Sequence, residues 1–187
     1  ARTHLTTITG LDRLNFLKIL KGYSTLIASY DKSLSEELAV SASLVSDAKK
    51  ESSVYSLYKE QIISFERIAE THARIISDMR AARTAIAVEL FRRENGRLPE
   101  KLDELVPKYI AAVPEDPFNN GQELKYIKGK LNCGTNAQKG SSEIIAKEGF
   151  VVYSIGEDRQ DNNAENCLER FLLPKDICFV VLSHSEK

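Results

Sequence analysis

The sequence predicts an α+β fold, in which N-terminal helices precede one long helix packed on a small antiparallel sheet. Three observations carry this. All five prolines and seven of the nine glycines follow Asn95, so the helix breakers are concentrated in the second half. Residues 54–94 place apolar side chains at alternating steps of three and four, the period of an amphipathic helix. Three short runs, 124–128, 150–155 and 177–182, are rich in aromatic and β-branched residues, which suit a pleated, half-buried surface.

The elements follow in order. Leu11, Leu14, Leu17, Leu20 and Ile27, with Phe16, predict a first amphipathic helix starting after Thr9 or Gly10. Asp31 or Ser33 is the expected cap of a second. Ser33 with Glu36 three residues on has the form of a capping box. Its expected inner face is Leu34, Leu38, Ser41 or Ala42, and Val45. The third helix carries the seam Ile62, Phe65, Ala69, His72, Ile76, Met79, Arg83, Ile86, Leu90. It is expected to pack on the protein's own helices and sheet, with a seam for another chain as the alternative. Glu89 and Arg93 have the spacing of a helical ion pair. Asn95-Gly96 predicts the helix end, with Gly96 in the left-handed conformation of a C′ residue. Pro99 opens a short helix over 100–106 that turns Leu102, Leu105 and Val106 inward, and Pro107 stops it. Residues 129–148 read as a loop or protruding hairpin, in which Ile144 and Ile145 pair briefly. The expected division is a helical stalk or bundle over 1–72 and an α+β domain over 73–187.

Composition narrows the function classes. Lys and Arg number 26 against 27 Asp and Glu, a net charge of −1, which argues against nucleic acid as a partner. No run of 18 apolar residues occurs, so nothing in these 187 residues is expected to span a membrane. The three cysteines, Cys133, Cys167 and Cys178, lack a C-x-x-C spacing. A Cys133–Cys167 disulfide is one reading, with Cys178 a buried thiol. No G-x-S-x-G, phosphate-binding loop or dinucleotide fingerprint is present. Cys167 with His184, and His72 on the helix seam, read as structural residues before they read as catalytic or metal-binding ones.

The stretch Ala85–Pro99, AIAVELFRRENGRLP, resembles the helix end and N-G-x-[YL]-P turn of the type II secretion major pseudopilin family. Asp116-Pro117-Phe118 is similar to that family's Asp-Pro-aromatic turn, and Tyr126 to the aromatic of its first strand. Residues 150–158, FVVYSIGED, resemble its closing strand and loop, and Asp176-Ile177 the Asp-Ile that follows. The resemblance covers about residues 80–181. The hydrophobic N-terminal helix of the family is absent from this sequence, where residues 1–60 are amphipathic and polar.

The resemblance implies a fold, an address and one site. The address is extracytoplasmic, in the periplasm or cell envelope. The function implied is a non-catalytic scaffold or interaction domain with a protein partner. The full-length protein is expected to be membrane-anchored or exported. The site is a calcium ion in the loop after the closing strand, held by Asp158, Asp161, Asp176 and the backbone carbonyl of Ile155. An irregular loop that aims carboxylates and carbonyls at one point suits the six to eight oxygens of calcium. The same loop has partial EF-hand spacing at Asp158, Gln160, Asn162 and Glu169, with Asn163 where glycine is required. A solvated acidic turn is the alternative. A ligand-sensing module with an apolar pocket among the N-terminal helices is the alternative function.

Overall fold

The computed structural model describes residues 10–29, 32–51, 56–134, 144–165, 167 and 175–182. The fold is α+β, with helices α1 (Gly10–Ser29), α2 (Leu34–Lys50) and α3 (Ser56–Asn95), and strands β1 (Lys125–Gly134), β2 (Ile144–Ser154) and β3 (Ile177–Leu182). The chain divides into two compact units, Ala1–His72 and Ala73–Lys187.

In the first unit α2 starts as its sequence predicts. The Ser33 hydroxyl accepts from the Glu36 N–H, and the Glu36 carboxylate accepts from the Ser33 N–H. Its buried face is Leu38, Ser41, Val45 and Ala48. Val45 and Ala48 pack with Tyr58 and Ile62 of α3, flanked by Ile19 of α1. The expected inner face of α1 is corrected. Leu14, Phe16, Leu17, Leu20 and Ile27 are all exposed, whereas Asn15, Gly22 and Ser29 are buried. The cause is close approach. A Cβ on Gly22 would lie 2.6 Å from Ile62 Cδ1, so the position that faces Ile62 must be small, and the contacts of α1 fall to Ile19 and Tyr23 instead of the predicted leucines.

In the second unit the sheet order is β1-β2-β3, with both pairings antiparallel. The hairpin β1-β2 extends to Gly134↔Ile144, so most of the stretch read as a loop or hairpin is strand, and the Ile144–Ile145 pairing is present. Alternate residues of β2 face opposite ways. Phe150 and Val152 join Ala81, Ala85, Val88 and Phe91 of α3 in the main core. Val151 and Tyr153 pack on the other face with Leu131 and Ala164. Full burial of side chains such as Phe150 and Val88 contributes about 1.5–3 kcal/mol each.

The seam on α3 is also corrected in this unit. Met79, Arg83, Ile86 and Leu90 are exposed, and the core takes Ala73, Ser77, Ala81, Thr84, Val88 and Phe91 instead. A strict seven-residue repeat drifts about 20° per heptad on a straight helix. The buried set runs from 73 to 91, five turns at the true period of 3.6.

Gly96 has φ 69° and returns its N–H to the Arg92 carbonyl at 2.9 Å, ending α3 as expected. The pair formed is Glu89 with Arg92, at 2.8 Å, rather than with Arg93. The short helix is a single 3-10 turn, Leu102–Leu105, with both leucines buried and Val106 exposed. At three residues per turn, 102 and 105 share a face and 106 leaves it.

Candidate functional site

Residues of the sequence motifs that lie far apart in the chain meet in the second unit. Asp116 is fully buried. Its Oδ1 accepts from the Ser154 hydroxyl at 2.7 Å and the Phe118 N–H at 3.0 Å, and its Oδ2 accepts from the Ile155 N–H at 2.9 Å. One carboxylate thus fixes the turn after residue 115 to the end of β2. Phe118 is buried beside it. The Tyr126 hydroxyl donates to the Pro99 carbonyl at 3.2 Å, and its ring lies 6.1 Å from Phe150. Burial raises the Tyr126 hydroxyl far above its ordinary pKa, with the negative charges of Glu100 and Glu104 adding to it.

The loop after β2 begins at Gly156, with φ 72°, where a Cβ would stand 2.0 Å from the Lys175 carbonyl. That contact brings the chain before β3 against the loop. Arg159, Asn163 and Ala164 also take positive φ. Asp158 accepts from the Gln160 N–H at 3.0 Å and the Asn162 side-chain amide at 3.3 Å, and it lies 3.6 Å from Lys175 Nζ. The Gln160 N–H leads the contributions that hold its carboxyl below the ordinary range. Asp161 accepts from the Tyr153 hydroxyl at 3.1 Å and the Asn163 N–H at 3.0 Å, with Lys125 Nζ at 2.9 Å. Burial works to raise its pKa. Lys125 and the two hydrogen bonds outweigh that and leave it lowered.

Asp176 is fully buried and accepts from the Asn162 N–H at 3.4 Å and the Ala164 N–H at 2.7 Å. Burial raises its pKa against those bonds. The Tyr153 hydroxyl is raised by burial and then by the charge of Asp161.

These bonds decide how the residues fit a calcium ion. All six carboxylate oxygens of Asp158, Asp161 and Asp176 are engaged by protein donors, and Lys125 and Lys175 supply the positive charge. Among the described residues no group of three or more His, Cys, Asp or Glu is placed to hold a metal ion. Ile155 is buried at the start of the loop, with its N–H bonded to Asp116. In this arrangement the three carboxylates are satisfied by donors of the protein itself. That fits a loop closed on itself, which covers the outer face of the sheet through Ala164. Glu169, from the EF-hand spacing, lies outside the described residues.

Sequence reasoning missed two features of this loop. Cys167 pairs with Cys178, not with Cys133, and their Cα atoms are 5.8 Å apart. Cys178 lies on the strand paired with β2, and the Gly156 contact brings the intervening chain alongside it, which no spacing rule anticipates. Lys125 is the other, since nothing in the sequence marks it as the partner of Asp161. His184 lies outside the described residues, and His72 is exposed on α3.

The second unit also carries an apolar groove of about 260 Å3, lined by Ala85, Ile86, Glu89, Leu90 and Arg93 of α3 and by Phe179 and Val181 of β3. The alternative function asks for a pocket between α1 and α3, and at Gly22 those helices meet directly. No helix among the described residues is long and apolar enough to cross a membrane. No protein-family model, curated protein or solved structure matches the chain.

Proposed function

We propose that the chain is a non-catalytic cell-envelope scaffold or interaction domain of the type II secretion pseudopilin kind. The observation that carries this reading is the bonding of the motif residues to one another. Asp116 reaches Ser154 and Ile155, Tyr126 reaches Pro99, and Asp176 holds the loop that follows Ser154. Scattered matches of composition would not converge in this way, whereas residues kept for one fold would. The polar groups at these positions serve structure, which suits a scaffold. The Cys167–Cys178 disulfide supports an oxidising, extracytoplasmic address. The apolar groove beside β3 supports a protein partner.

The address and the partner are tested together in cells. Alkylation of the native protein should label at most Cys133 before reduction and all three cysteines after it. A photo-crosslinking residue at Phe179 should give one discrete adduct. Three labels without reduction would remove the extracytoplasmic reading. A crosslinker at Phe179 that reacts only with solvent would remove the interaction reading.

A further inference from the structure

The outward face of α3 in the second unit is apolar for about four turns, from Ile75 to Leu90. Ile75, Met79, Ile86 and Leu90 are 52%, 63%, 59% and 47% exposed, a degree at odds with their size. Phe179, 40% exposed on β3, extends the patch across the groove. Ile75, Met79, Ala82 and Ile86 follow the steps of four, three and four that let two helices interlock. A stripe of this length and spacing is shaped for another helix, and the charges beside it say which one.

Asp78 lies along one flank of the stripe, on the same side as Glu89, and Arg83 lies along the other. Both Asp78 and Arg83 are exposed, and neither forms an ion pair among the described residues. Two copies of α3 packed antiparallel about this stripe would set acidic flank against acidic flank and Arg83 against Arg83. Packed parallel, Asp78 of each copy meets Arg83 of the other. The flanking positions that pair across a parallel helix dimer are five residues apart, and Asp78 and Arg83 have that spacing. The parallel dimer thus makes two Asp78–Arg83 pairs, with Met79 and Ile86 of each copy meeting their counterparts. Arg93, seven residues after Ile86, would meet its own counterpart in this register, so the seam ends at Leu90.

We infer that this face binds a second copy of the chain in parallel register, with Asp78 of one copy against Arg83 of the other. The inference rests on the interaction-domain reading and names its partner. An interface of one helix face lies below the usual size of specific interfaces, so the dimer is a weak one.

Sedimentation equilibrium of the whole chain from about 10 μM to about 1 mM tests this. The wild type should pass from monomer to dimer. Met79→Asp, at an exposed position that leaves the core untouched, should remain monomeric with an unchanged melting curve. Asp78→Arg and Arg83→Asp alone should each weaken association by roughly fivefold or more. The double exchange, Asp78→Arg with Arg83→Asp, should restore it. A wild type that stays monomeric throughout overturns the inference, and so does a dimer indifferent to Met79→Asp or a double exchange that fails to restore pairing. In the monomeric case a discrete crosslink from Phe179 to another protein would still uphold the interaction reading, so the two fail separately.

Discussion

Replacing Asp116 by alanine takes one acceptor from three donors at once: the Ser154 hydroxyl and the N–H groups of Phe118 and Ile155. Each buried donor left without a partner costs about 1–3 kcal/mol. Ser154 escapes most of this, because a hydroxyl can rotate, and its oxygen also accepts from the Gly156 N–H at 3.2 Å. The two backbone amides cannot rotate. Against their loss stands the relief of no longer burying a carboxylate, which costs several kcal/mol when imperfectly compensated. The balance is a loss of about 3 kcal/mol, or roughly 6–12 °C in melting temperature for a chain of this size. Asp116→Asn should lose less, about 1–2 kcal/mol, because one oxygen remains while the amide opposes a donor. Chemical denaturation gives the magnitude, and amide hydrogen exchange gives the location. The Ile155 and Phe118 amides should lose protection before the rest of β2. A loss under about 0.5 kcal/mol with both amides still protected would refute the view that this carboxylate joins the turn to the sheet.

Three further outcomes follow from the same structure. Ser77 is fully buried and its hydroxyl lacks a hydrogen-bond partner, so Ser77→Ala should raise stability by about 1 kcal/mol in a denaturant melt, and a loss would show that the hydroxyl is satisfied. Carboxyl chemical shifts should show Asp176 titrating above the ordinary carboxylate range and Asp158 and Asp161 below it. The signs differ accordingly. The raised group erodes stability as pH rises from the unfolded value through its folded pKa, and the lowered pair erodes it as pH falls from the unfolded value through theirs. Asp176→Asn should flatten the first limb alone, and an Asp176 that titrates with the other two would contradict its burial. Finally, because lysines already neutralise the loop, the melting temperature should be the same in excess calcium and in excess chelator. A rise of roughly 5–10 °C with calcium would mean that the loop rearranges around an ion.

Local signals were legible in the sequence where they are chemically explicit. Ser33 with Glu36, Gly96 and the strand at 177–182 stand where their residue types require. The faces of α1 and α3 were not legible. Reading by size assigns the core to the largest side chains, yet these helices pack through Gly22, Ala81, Thr84 and Ala85 because close approach needs small residues. Periodicity alone cannot separate a small-residue face that packs from a large-residue face that does not. The site divides in the same way. The aspartates were named from sequence because the family resemblance places acidic residues after the closing strand and before the last one. Their partners were not, because Lys125 is distant in sequence from Asp161 and becomes its neighbour only through the pairing of β1 with β2.

That pairing also explains how the charge of an acidic loop is balanced from within the protein. A divalent ion tightens a loop by giving several carboxylates one shared counter-charge. Here the register that sets Lys125 opposite Tyr153 places an ammonium and a phenol on the same carboxylate. The disulfide and the Gly156 contact then hold the chain before β3 against the loop. The buried Asp176 accepts from two loop amides, so even the one carboxylate without a lysine is bound to backbone. The counter-charge is distributed over covalent structure rather than borrowed from solution. The charge of this loop is thus balanced within the protein, while the opposite face of the sheet carries α3 with its exposed stripe.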